Sequence, residues 1–220
     1  AMPTILITGA GRGIGLSLAR AYADAGWRVL GGVRDPAKAQ DLASLPVEVM
    51  TLDPGSDASV ADLAASLSGT PIDLLFNNAG MMGPRERQVL GDIAYEAWGE
   101  VMAVNVMAPV RMADAFSDHV AASERKQIAV VSSIMGSMAD NTAGGFYLYR
   151  SSKAAVNMAA RSLAADLGPR GITVVMFHPG WVRTDMGGPS AAVSPTDSAA
   201  GMLRVMSEVE PKDNGRFFNY

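Results

Sequence analysis

Tyr149 and Lys153 stand four residues apart in a stretch whose apolar residues, Ala155, Val156, Ala159, Leu163 and Leu167, recur at helical spacing, so one helix face presents both groups. An unperturbed tyrosine, with a pKa of about 10, exchanges protons poorly near neutrality. A neighbouring ammonium favours the phenolate and makes the phenol a usable acid/base. The same spacing also describes a surface tyrosine above a solvated lysine, so the pair needs company. Ser132 and Ser133 supply it: both hydroxyls follow the apolar run Ile128 to Val131, where a hydroxyl either binds a carbonyl oxygen or caps a strand end. Asn105 is the fourth candidate. Pro109 has no N–H to give to the carbonyl four residues earlier, so a continuous helix over 94–121 kinks there and leaves the Asn105 carbonyl free to hold a water.

A second constellation lies at the start of the chain, in Thr8-Gly9-Ala10-Gly11-Arg12-Gly13-Ile14-Gly15. It follows an apolar run and opens a helical pattern of Leu16, Leu18, Ala19, Ala21 and Tyr22. Glycines let a backbone turn sharply and approach a pyrophosphate, and a helix N-terminus offers unpaired N–H groups to its charge. In this position the turn predicts a dinucleotide site.

The elements that must carry these groups alternate. Strands are expected at Thr4 to Thr8, Arg28 to Val33, Glu48 to Leu52, Ile72 to Asn77, Gln127 to Ser132, Ile172 to His178 and Arg216 to Tyr220. Helical spacing falls near 14–25, 57–68, 94–121, 147–168 and 195–208. Continuous apolar strands separated by helices mean crossovers: an α/β, Rossmann-type doubly wound parallel sheet of about seven strands with helices on both faces. No repeat or long Gly/Ser linker interrupts it, so residues 2–220 are expected to form a single domain, with Ala1 read as a tag remnant. Ligands of such sheets bind beyond the carboxyl ends of the strands, which is where the candidate residues fall.

Composition narrows the partners. A formal net charge of -4 leaves no broad basic surface for nucleic acid. There is no cysteine for a disulfide or a thiolate metal site, no metal is expected, and no apolar stretch approaches the roughly 18 residues of a membrane span. A cytoplasmic protein without membrane partners is the expectation.

The spacing Thr8-Gly9…Gly13…Gly15, the tetrad candidates, Asn77-Asn78-Ala79-Gly80 and Pro179-Gly180-Trp181-Val182-Arg183-Thr184 occur together and in order over nearly the whole chain. In this the sequence resembles the short-chain dehydrogenase/reductase family. Details around Ser132 to Gly145 and Trp181 to Gly188 resemble its C-factor/sniffer-like carbonyl reductase subgroup. The resemblance implies that Ser133, first in S-S-x-x-G after Ser132, holds the substrate oxygen. It implies that Lys153 grips the cofactor ribose and that Asn105 holds a relay water. Cofactor contacts are implied for Gly9, Arg12, Gly13, Ile14, Gly15, Asn78, Ala79, Gly80, Pro179, Gly180, Val182 and Thr184, the last at the carboxamide. Asp53 matches the adenine-binding position, or else only forms the turn before Pro54-Gly55. Where NAD-dependent members carry an acid this chain has Val33 followed by Arg34, so Arg34 and Arg12 would bracket the 2′-phosphate of NADP(H); a two-residue shift of the alignment would bring Asp35 to the ribose and favour NAD(H). The Ser133-to-Tyr149 separation is longer than in many members, with extra residues around Asp140 to Gly145, and the segment from Met186 to Ser194 is short, which predicts an open site with loose specificity.

The activity expected is hydride transfer between NADP(H) and a carbonyl or alcohol, with a small-molecule substrate and a homodimer or homotetramer sharing the faces of 94–121 and 147–168. The alternative is an NAD(P)-binding signalling or regulatory protein of the C-factor type with little turnover.

Overall fold

A computed structural model describes residues 1–220. Seven strands form one parallel sheet: β1 (Thr4–Thr8), β2 (Arg28–Val33), β3 (Glu48–Thr51), β4 (Leu74–Asn77), β5 (Gln127–Val131), β6 (Thr173–His178) and β7 (Phe217–Asn219), in the order β3-β2-β1-β4-β5-β6-β7. Every neighbouring pair is parallel. Strand β1 has all five residues buried because helices cover both its faces. Alternation distributes its side chains: Leu6 joins Leu30, Leu75, Phe116 and Val156 on one side, while Ile5 and Ile7 join Leu18, Phe76, Phe177 and Met202 on the other.

The first side is covered by α3 (Asp57–Ser66), α5 (Ala108–Ala121) and α6 (Tyr147–Leu167), the second by α1 (Gly13–Asp24) and α7 (Pro195–Glu208). Strand order reverses between β1 and β4, so the crevice beyond their carboxyl ends lies between Thr8 and Asn77. The expected architecture is present. A four-residue helix, α2 (Gln40–Ala43), and a small antiparallel hairpin of Gln88–Val89 with Asp92–Ile93 were not anticipated, being too short for a periodic signal.

The stretch expected as a kinked helix over 94–121 changes gauge instead. It runs as α4 (Tyr95–Met102), a π-helical turn (Ala103–Met107) and α5, with the Ala108 N–H reaching the Ala103 carbonyl five residues back. Pro109 sits immediately beyond the widened turn, which absorbs its missing N–H and rotates Asn105 inward, leaving it 2% exposed. No helix is long and apolar enough to cross a membrane.

Candidate active site

At the crevice the glycine turn is built by backbone approach. The Thr8 hydroxyl accepts the Asn78 and Ala79 N–H groups, each at 3.0 Å, and the Asn78 amide donates to the Thr8 and Gly9 carbonyls, each at 3.2 Å. Thus Asn78 and Ala79 steady β1 against β4. Gly9 and Gly13 have φ of +65° and +55°, and a Cβ on Gly15 would lie 2.0 Å from the Gly9 carbonyl oxygen. Helix α1 then begins without a side-chain cap and without an acid in its first turn. Its N–H groups therefore face the crevice unanswered by any side chain, which is what a phosphate requires.

Arg12 is the N-cap residue; its exposed guanidinium lies 3.6 Å from Asp185, a surface pair of little energetic weight. Thr184 packs at Gly13, where a Cβ would lie 3.2 Å from the threonine methyl, so the segments after β1 and β6 meet across the crevice. Val33 is buried behind Gly11, and Arg34 is exposed beyond it. Asp35 is occupied: one oxygen accepts the Ala37 N–H at 3.1 Å as the cap of a short turn, and the other lies 3.9 Å from Lys38. The carboxylate that a shifted alignment would bring to a ribose is thus committed elsewhere. One oxygen of the exposed Asp53 accepts the Gly55 N–H at 2.9 Å.

One strand away stands the acid/base pair. Helix α6 starts at Tyr147 after three successive left-handed residues, Gly144, Gly145 and Phe146, which let the extra loop from Ser137 re-enter at the right angle. No side chain caps it at Phe146. Instead Gln88, wholly buried, accepts the Tyr149 N–H at 3.0 Å and donates to the Met82 carbonyl at 2.8 Å. Gln88 has no motif around it and was not anticipated; only the fold brings it to the helix start, 61 residues away.

The turn Ser133 to Gly136 packs on this helix so closely that a Cβ on Gly136 would lie 2.7 Å from the Lys153 carbonyl carbon. That contact brings Ser133 to Tyr149. Ser132 donates to Asn157 at 2.6 Å, away from the pair, while the Ser133 hydroxyl accepts the Met135 N–H at 3.1 Å as the cap of its turn and has a lowering influence on the Tyr149 phenol. His178 fixes the same turn, its Nδ1 accepting the Ile134 N–H at 3.0 Å. The Lys153 Nζ is 5.6 Å from the Tyr149 ring centroid and donates to the Val131 carbonyl at 3.1 Å.

Burial pushes the Tyr149 phenol above its ordinary value, against the lowering influence of Ser133 and of the Arg85 charge, and it pushes the Lys153 ammonium down to about 8. Without a cofactor, burial is the larger influence on the phenol and outweighs both lowering ones. Asn105 is tied by its side chain. Its oxygen accepts the Met81 N–H at 2.8 Å and its amide donates to the Met81 carbonyl at 2.8 Å and to Ser152 at 3.0 Å. Ser152 in turn donates to the Tyr149 carbonyl at 2.8 Å, so Asn105 joins the π turn, α6 and the segment after β4.

The short segment after Thr184 is held by hydrogen bonds along its length. Trp181 donates to Gly187 at 2.9 Å, Arg183 to Ala191 at 3.0 Å, and Arg85, another residue without a sequence signal, to the Met186 carbonyl from the opposite wall. Gly180, with φ of +89°, lies against Tyr220, and Pro179 accepts from Ser198 at 2.6 Å.

A doubly wound sheet with a phosphate turn at its switch point and a buried Tyr–Lys pair beside it defines an oxidoreductase built for a dinucleotide. Residues 3–193 match the short chain dehydrogenase family, and the chain belongs to that family. Among relatives, C-signal of Myxococcus xanthus is 45% identical over 157 residues, 71% of this chain and 93% of that protein. The structure of carbonyl reductase Sniffer of D. melanogaster superposes with a TM-score of 0.93 at 32% identity, covering 100% of this chain and 97% of that one. An NADPH-bound carbonyl reductase from chicken fatty liver superposes with a TM-score of 0.91 at 32% identity, covering 99% and 96%.

Proposed function

We propose that this oxidoreductase is an NADPH-dependent carbonyl reductase. The observation that carries the reading is the convergence of Ser133, Tyr149 and Lys153 beside the glycine turn, with Tyr149 only 8% exposed and its phenol held protonated by burial. Gly9, Gly13, Ile14 and Gly15 offer the pyrophosphate its N–H groups, Arg12 and Arg34 take the 2′-phosphate, and Asp53 stands for the adenine. Asn78, Ala79, Gly80, Pro179, Gly180, Val182 and Thr184 line the remaining length. The NADPH-bound chicken relative and the engagement of Asp35 with Ala37 support NADP(H) over NAD(H).

When bound, NADPH supplies the hydride that a carbonyl carbon accepts. Ser133 orients the carbonyl oxygen, and Tyr149 gives its phenolic proton to that oxygen as the alcohol forms. Lys153 holds the ribose, and Asn105 keeps the water through which the proton of Tyr149 is restored. Exposed Tyr95, Met107 and Met158 on the 94–121 and 147–168 segments support a shared face in a homodimer or homotetramer. A cytoplasmic location goes with this reading.

Identity to C-signal supports the second reading, a regulatory protein that binds the dinucleotide with little turnover. NADPH and NADH oxidation by wild type and Tyr149→Phe against small ketones, quinones and aldehydes separates them. Turnover with NADPH, reduced by about 100-fold or more in the variant, is expected. Tight NADPH binding with no carbonyl reduced would favour the regulatory role instead.

A further inference from the structure

Arg85 has no task in the scheme above, yet its surroundings are built with care. The start of the segment carrying it is tied down by two buried amides. Met81 is held through its N–H and its carbonyl by Asn105, and the Met82 carbonyl by Gln88, two side chains 2% and 0% exposed. Between them Gly83, with φ of +76°, is pressed against Val101 and Leu148, the neighbour of Tyr149. The short turn Arg85–Arg87 therefore leaves the wall of the crevice at a fixed angle.

What this turn presents is an exposed cation without an acid. Its neighbour Arg87 is taken by Asp92 at 3.1 Å and Glu96 at 2.6 Å. Arg85 instead donates across the crevice to a neutral acceptor, the Met186 carbonyl. An exposed apolar ring stands beside that acceptor, since Trp181 donates to the carbonyl of Gly187, the neighbour of Met186. Gln88, which directly follows the Arg85–Arg87 turn, accepts the Tyr149 N–H at 3.0 Å, so the turn is anchored at the start of the helix that carries the phenol. A planar guanidinium with a replaceable neutral acceptor matches a carboxylate, which it binds with two parallel charge-assisted hydrogen bonds.

We infer that Arg85 is a specificity residue that anchors a carboxylate of the substrate, so that the preferred substrates are apolar aldehydes or ketones bearing an acid group remote from the carbonyl. The inference rests on the reductase reading and deepens it. A bound carboxylate would also replace the Met186 carbonyl on Arg85 and offset the lowering influence of the Arg85 charge on the Tyr149 phenol.

The test uses a matched pair, para-carboxybenzaldehyde and its methyl ester, with NADPH and the full chain as wild type, Arg85→Gln and Arg85→Lys. Wild type should prefer the acid. The acid-to-ester ratio of kcat/KM should fall by about 10- to 100-fold in Arg85→Gln, the loss of one charge-assisted contact, and less in Arg85→Lys. Calorimetry of para-(hydroxymethyl)benzoate, with and without NADP, should give a matching loss of affinity in Arg85→Gln. An unchanged ratio, or equal loss with both aldehydes, would overturn the inference and leave Arg85 a strap between the walls. If neither aldehyde is reduced by wild type the reductase reading fails, and calorimetry still decides: carboxylate binding that needs Arg85 upholds the anchor, and binding indifferent to it refutes it.

Discussion

Lys153 carries the largest local cost in the site. Its ammonium is 5% exposed and its pKa of about 8 lies below the ordinary 10.5. Below about 8 both folded and unfolded chains hold the proton, and the penalty of the buried charge is fully present. Between about 8 and 10.5 only the unfolded chain holds it, so the stability of the cofactor-free protein rises with pH through that window. The gap corresponds to about 3 kcal/mol, partly offset by the hydrogen bond to Val131. Lys153→Met should therefore stabilise the cofactor-free protein at neutral pH by about 1–3 kcal/mol in urea titration while removing turnover. A less stable variant would contradict this account of the burial. The same ionisation predicts that kcat/KM for reduction falls above about pH 8, where Lys153 loses its charge. At this scale the reacting types were legible from spacing and motif, but their charge states were not. A four-residue interval tells which side chains meet; it does not tell how much water they lose.

Among the elements, the β1-to-α1 turn tolerates no added atom, and α4 tolerates one easily. Gly15→Ala would press a methyl onto the Gly9 carbonyl and the Asn78 amide, so a loss of about 1–3 kcal/mol is expected in denaturant titration, together with loss of NADPH affinity. Gly99, in the middle of α4, has nothing within 4 Å of a built Cβ. Gly99→Ala should stabilise the protein by about 0.5–1 kcal/mol and leave cofactor affinity unchanged, making it the control for the first substitution. The two glycines look alike as letters. The motif around Gly15 announced a special turn, whereas the π turn at Ala103–Met107 announced itself only through Pro109, and as a kink instead of a widened turn. A proline identifies a missing donor, but the neighbouring chains decide how the helix absorbs it.

For the whole molecule, the crevice draws on segments after β1, β2, β4, β5 and β6 together with the start of α6, so a dinucleotide lying along it is expected to stabilise the fold by linkage. NADPH at about 100 times its Kd should add about 2.7 kcal/mol, a rise of about 5–10 °C in Tm for a chain of this size, in a thermal melt. NADPH should stabilise the wild type more than NADH at equal concentration, and Arg34→Glu, which removes a partner of the 2′-phosphate, should abolish that difference in the same melt. The parallel sheet of seven strands, its two covered faces and the candidates Ser133, Tyr149 and Lys153 were legible in the sequence by itself, because apolar periodicity and strand-end motifs are local signals, whereas the order of the strands came with the tertiary structure. Tertiary structure alone decided that Ser132 turns to Asn157 while Ser133 meets the phenol, that Asp35 is spent on a turn, that Gln88 caps α6, and that Arg85 spans the crevice to Met186. Each of these depends on which group a side chain finds in space, often dozens of residues distant in the chain, and on how far burial shifts its charge; neither quantity is carried by the spacing of letters.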